Sequence, residues 1–180
     1  MQIRLLRRDE VGTLWAIDRS EIIDAIYVLR EGRLVLTPEH HDVRGWPPGE
    51  PEAYTPLLLA CHDRGGAFFG AFDGAALAGA AVLDTLGRGS SRDLLQLMFL
   101  HVGSACRGRG LGVELFGLCL RAARARGAAG LYVSATESQA TVDFYRRRGC
   151  TLAATPDPDL FALEPRDIHL EYRFDDGTAA

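Results

Sequence analysis

Apolar residues recur along this chain at two spacings, and the switches between them predict its elements. IRLL (3–6) reads as a short first strand. In DRSEIIDAIYVLREG the apolar positions Ile22, Ala25, Ile26 and Leu29 fall three or four apart, as on one helix face. Asp18 and Glu21 have capping-box spacing and Gly32 is placed as a stop, so a helix is expected over 18–32. Apolar runs on either side of Asp73-Gly74 predict a β-hairpin, because that dipeptide supplies the positive φ of a tight turn. DLLQLMFLHV (93–102) is apolar on both faces and predicts a buried central strand.

Helical spacing returns in Leu111, Leu115, Leu118, Cys119 and Ala122, a stripe that runs to about Arg126. AGLYVSA (129–135) is a second buried strand. Thr136 and Gln139 form a capping box for a helix through Arg148, and Gly149 ends it. CTLAA and IHLEYRF predict closing strands, and 175–180 a frayed tail. Residues 37–56 hold five prolines, a density that excludes helix and central strand, so an irregular insert is expected, either a functional loop or a surface linker. The order describes one domain over 1–174, a mixed α/β sheet with helices on both faces.

Composition narrows the function classes. The chain has 180 residues and a formal net charge of −4, which argues against a nucleic-acid or membrane partner. All basic residues are arginine; lysine is absent. No apolar stretch reaches spanning length, the N-terminus lacks the apolar core of a secretory signal, and the four cysteines form no CxxC pair. A reduced, cytoplasmic protein without a metal site is expected.

The chemistry concentrates in SACRGRGLGVELF (104–116), where Gly108, Gly110 and Gly112 alternate just before a helix. A dinucleotide fingerprint needs GxGxxG, and here the third glycine falls one place early. A P-loop needs Lys and Ser/Thr where Arg109 and Gly110 stand. What remains is an anion nest of bared amides at a helix N-terminus, or a glycine-rich structural turn.

Arg107-x-x-Gly110-x-Gly112 between a buried strand and a helix resembles the acyl-CoA-binding motif of the GNAT superfamily of N-acetyltransferases. SQATVDFYRRRGC (138–150) is similar to the family's later signature, with Phe144, Tyr145 and Gly149 in register. Ser138, Thr141 and Cys150 replace its Asn, Ala and Phe.

The resemblance implies a mainly antiparallel sheet of six or seven strands, splayed in the middle, and transfer of acetyl from acetyl-CoA to a primary amine by direct attack. It implies that Arg107, Gly108, Arg109, Gly110, Leu111, Gly112 and Ser138 hold the cofactor. The Leu100 amide then faces the thioester oxygen, and Val102 pairs with pantetheine. Tyr145 is the expected proton donor to the departing thiolate, or else an aromatic that packs its helix on the sheet. Where some members carry a strand glutamate as base, this chain has Gln96, whose carboxamide cannot take a proton. Asp84, Asp93, His101 and Glu137 stay open as bases, none assigned. Asp18, Glu21, Asp24, Tyr27 and Trp46 are candidate liners for a small-molecule or peptide amine, or simply a charged helix face. A homodimer is compatible with the family. A silent acyl-CoA-binding sensor on the same fold is the alternative.

Overall fold

A computed structural model describes residues 1–175. The order begins with β1 (Gln2–Leu5), a 3-10 helix (Arg8–Ala16), β2 (Glu21–Arg30), β3 (Arg33–Val43) and α1 (Glu50–Asp63). It continues with β4 (Ala67–Asp73), β5 (Ala76–Arg88), β6 (Leu94–Val102), α2 (Leu111–Ala125), β7 (Gly130–Ala135) and α3 (Gln139–Arg146). β8 (Thr151–Leu152), α4 (Pro158–Leu163) and β9 (Ile168–Arg173) follow. Seven strands form one sheet in the order β1-β4-β5-β6-β7-β9-β8, and β2-β3 stand apart as a hairpin. Every pairing described is antiparallel except β6 with β7. The mixed α/β, mainly antiparallel sheet matches the expected fold class.

Two apolar layers cover the sheet. Leu111, Leu115, Phe116 and Cys119 of α2 and Val142 and Tyr145 of α3 pack on one face. Val11 and Leu14 of the 3-10 helix and Leu58 and Cys61 of α1 pack on the other. The hairpin around Asp73-Gly74 forms as expected, with Gly74 at φ 60°.

The N-terminal third departs from its sequence pattern. The helix expected over 18–32 is the strand β2, and the stop residue Gly32 (φ 73°) is half of a hairpin turn with Glu31 (φ 49°). Both central residues at positive φ fit the right-handed twist of Arg30 and Arg33 on either side. Ile22, Ile23, Ile26, Tyr27 and Val28 are β-branched or aromatic, which favours a pleated surface. A bulge between Ile23 and Ala25 shifts the register and breaks the two-residue alternation, leaving a spacing that imitates a helix. The irregular insert expected at 37–56 is instead largely regular, its start lying in β3 and its end in α1. Pro38 lies beside that bulge, where a missing N–H is tolerated, and Pro51 lies in the first turn of α1. Pro56 sits exposed inside α1, on a helix held by Leu58 and Cys61 on its buried side. Only Asp175 of the expected tail lies within the described residues.

Candidate functional site

β6 and β7 run together only from Leu94–Gly130 to Gln96–Tyr132. Beyond Gln96 they part, and a cleft of ≈ 580 Å³ opens between Leu97–Val102 on one wall and Ser134–Thr136 on the other. A bulge at Met98 keeps Leu100 and Val102 on the α2 side with Leu95 and Leu97, and turns Phe99 towards α1. Hydrogen bonding alternates along a paired strand. Since the Gly103 N–H donates to the Ala78 carbonyl (2.8 Å) of β5, the amides of Leu100 and Val102 point the other way, into the cleft. These two amides therefore form an open strand edge on the cleft.

The cleft ends at the N-terminus of α2. The Arg107 amide donates to Ser104 and the Glu114 amide to Gly110, while the amides of 108–113 find no backbone acceptor among the described residues. Gly108 (φ 75°) and Gly110 (φ 83°) hold left-handed conformations that turn these amides outward. Gly112 is needed for a different reason: a Cβ there would stand 3.1 Å from the Phe144 ring of α3. With the partial positive charge of a fifteen-residue helix behind them, these amides can take a polyanion.

Leu100, Val102, Arg107, Gly108, Gly110, Leu111, Gly112, Ser138 and Tyr145 all line the cleft. Arg109 does not; it is exposed on the outer side of the loop. Two others serve the fold in ways the sequence did not reveal. The Arg107 guanidinium donates to the carbonyls of Val102 (3.1 Å), Ser20 (3.1 Å) and Arg19 (3.2 Å), tying the nest to the segment before β2. Ser138, not the expected Thr136, caps α3, its hydroxyl accepting from the Thr141 amide at 3.3 Å.

Tyr145 is 6% exposed and packs edge-on against Phe144 and Phe116. Burial, reinforced by the neighbouring cysteines, pushes its phenol above the ordinary range, so it is protonated at neutral pH.

All three carboxylates left open as bases are held by arginine. Asp84 takes a two-pronged bond from Arg64 (3.0 and 2.7 Å), Asp93 pairs with Arg173 (2.8 Å), and Glu137 with Arg166 (2.8 Å). His101 reaches the cleft but is enclosed by Trp46 and Phe99; burial and nearby arginines push it down to about 3, leaving a neutral, weakly basic ring. Gln96 is buried and accepts from Arg88 at 3.2 Å.

Of the expected acceptor liners only Glu21 reaches the cleft wall. Asp18 accepts from Ser104 (2.5 Å), Asp24 pairs with His40 in solvent, Tyr27 donates to Asp143 (2.9 Å), and Trp46 donates to the Ile17 carbonyl (3.0 Å). Glu21, Asp24 and Tyr27 lie on a strand and not on the expected helix, so they do not share one face, while Asp18 and Trp46 lie outside that strand. Arg19, Ser134, Thr136 and Arg148 also line the cleft. Ser134 and Thr136 reach it because β6 and β7 part, which no local pattern encodes.

A central sheet pried open beside an amide-lined helix start is the architecture of an acyl-CoA-dependent acyltransferase. The model of the Acetyltransferase (GNAT) family matches residues 34–150, and the chain belongs to that family of acetyltransferases. No match was found among curated proteins. Among solved structures, a nourseothricin acetyltransferase aligns with TM-score 0.68 at 24% identity, covering 94% of this chain and 95% of its own. The PaiA N-acetyltransferase of Thermoplasma acidophilum, solved with coenzyme A, aligns with TM-score 0.63 at 15% identity, covering 97% and 100%. The ribosomal-protein-S18-alanine N-acetyltransferase of Escherichia coli gives TM-score 0.58 at 14% identity over 99% and 98%. At these identities the likeness is one of fold.

Proposed function

We propose that the protein moves acetyl from acetyl-CoA to a primary amine by direct attack within a ternary complex. The observation that carries this reading is the open edge of β6, where the Leu100 and Val102 amides face a cleft that ends in the amide nest and includes Tyr145. The nest takes the pyrophosphate. Each amide bond to a charged oxygen contributes about 1.5–3 kcal/mol, so three give about 5–9 kcal/mol, against about 8 for micromolar affinity. These three donors come from among the amides of Gly108, Gly110, Leu111 and Gly112, and Arg107 holds the loop that presents them. Ser138 fixes the start of α3, which carries Tyr145.

Val102 adds the pantetheine arm to the strand edge, and the Leu100 amide donates to the thioester oxygen as it gains charge, an effect typically about 10²–10³ in rate. The amine nitrogen forms its bond to the carbonyl carbon as the C–S bond breaks. Tyr145 returns a proton to the departing sulfur and recovers one from the new amide nitrogen. Burial raises its pKa, but the same burial raises the basicity of the thiolate beside it, so the transfer stays feasible.

One observation favours a second reading. Gln96 is bonded to Arg88 where some family members carry a strand glutamate, as in a chain that binds acyl-CoA without turning it over. Thiol release from acetyl-CoA, followed over a panel of 1,4-diaminobutane, spermidine, kanamycin and an alanyl peptide, separates the two. Acetyltransfer predicts amine-dependent thiol release with at least one acceptor. A raised melting temperature with acetyl-CoA and no release on any amine supports the sensor. No shift and no release contradict both.

A further inference from the structure

We propose that Asp167, acting through the Ser134 hydroxyl at the cleft wall, takes up the proton that the amine must lose before it attacks. This rests on the acetyltransferase reading above and supplies the base that Gln96 cannot be. Ser134 lies on β7 two residues past the last pairing with β6, where the cleft has opened. Its hydroxyl donates to Asp167 Oδ2 at 2.7 Å. Asp167 lies just before β9, half-buried behind that wall.

What distinguishes Asp167 is its lack of a counter-ion. The carboxylates weighed as bases are each engaged by an arginine, whereas Asp167 is within reach of none among the described residues. Arg166 beside it turns to Glu39 and Glu137, both at 2.8 Å. The charged groups facing Asp167 are instead Glu164 at the end of α4 and Glu137 before α3. Burial, opposed by the Ser134 bond and assisted by those two carboxylates, lifts its carboxyl to about 6. A base poised there ionises in neutral solution yet still has appetite for a proton. The charge of Asp167 acts on Tyr54 of α1 and, more weakly than burial does, on Tyr145 of α3.

The proton balance closes. The ammonium gives a proton to the Ser134 oxygen as Ser134 passes its own to Asp167, leaving a neutral amine and a carboxylic acid. Tyr145 ends the transfer with the proton it began with, and Asp167 releases its proton to solvent with the product. Asp167 is thus a positioning and proton-storing group, and Ser134 is the one that touches the acceptor.

The test is the pH dependence of kcat/KM for the fastest amine of the panel, in the parent, Asp167→Asn, Ser134→Ala and Asp167→Glu. In the parent, activity rises through about pH 6 and then levels, because the ammonium form is used directly. Without the relay the amine must arrive already neutral. Both Asp167→Asn and Ser134→Ala should therefore lose about 10²-fold at pH 7 and climb with unit slope towards the amine's own pKa. Asp167→Glu should restore part of the plateau. Folding is checked by acetyl-CoA binding, expected unchanged in all four. An acid whose folded pKa is raised costs stability as pH rises from about 4 to about 6, so Asp167→Asn should melt no lower than the parent at pH 8. A plateau retained by both variants, with kcat/KM within threefold of the parent, overturns the relay alone. A parent that acetylates no amine overturns the reading beneath it as well.

Discussion

Tyr145 illustrates what a single residue reveals in sequence and what it does not. Its register with Phe144 and Gly149 marked it out, and its helix turns it into the cleft. Its protonation state depends on burial by Phe116 and Phe144, which lie on elements α2 and α3. Tyr145→Phe should lower turnover by about 10²-fold while leaving the acetyl-CoA dissociation constant within twofold, as a proton donor used only in the transition state requires. Steady-state rates alongside calorimetric binding check this. Turnover within threefold of the parent would return Tyr145 to a packing role. The acceptor liners were poorly legible for a related reason. Asp18 and Tyr27 each found partners far along the chain, Ser104 and Asp143, that no local spacing foretells.

At the scale of the element, the glycine loop was readable because its constraints are local. Gly108 and Gly110 need positive φ, and Gly112 needs room for Phe144. Gly110→Ala should therefore weaken acetyl-CoA at least tenfold, since an alanine in the left-handed region costs about 1–2 kcal/mol and misaims the amides. Gly112→Ala should act through α3, reducing both affinity and melting temperature. Calorimetric titration and thermal melts of both variants distinguish the routes, and unaltered affinity in Gly110→Ala would contradict the nest. By contrast, the bulge at Ile23–Ala25 gives the strand β2 a helix-like apolar spacing, and Gly32 serves a hairpin turn as readily as a helix stop. The prolines of 37–56 misled for the same reason. A proline excludes the middle of an element, not its edge or first turn, and Pro38 and Pro51 occupy such places.

For the whole molecule, the apolar runs foretold a sheet with helices on both faces, and the two motifs together foretold its family. The parting of β6 and β7 after Gln96 belongs to neither strand alone, so the cleft wall beyond it, Ser134 included, came only with the assembled sheet. In the proposed reaction acetyl passes directly from the carrier on the β6 edge to an amine bound in the same cleft. The most direct test is the initial rate of thiol release, varied against acetyl-CoA at several fixed concentrations of the amine. Direct attack in a ternary complex predicts double-reciprocal lines that intersect. Parallel lines, or thiol release indifferent to the amine, would contradict it.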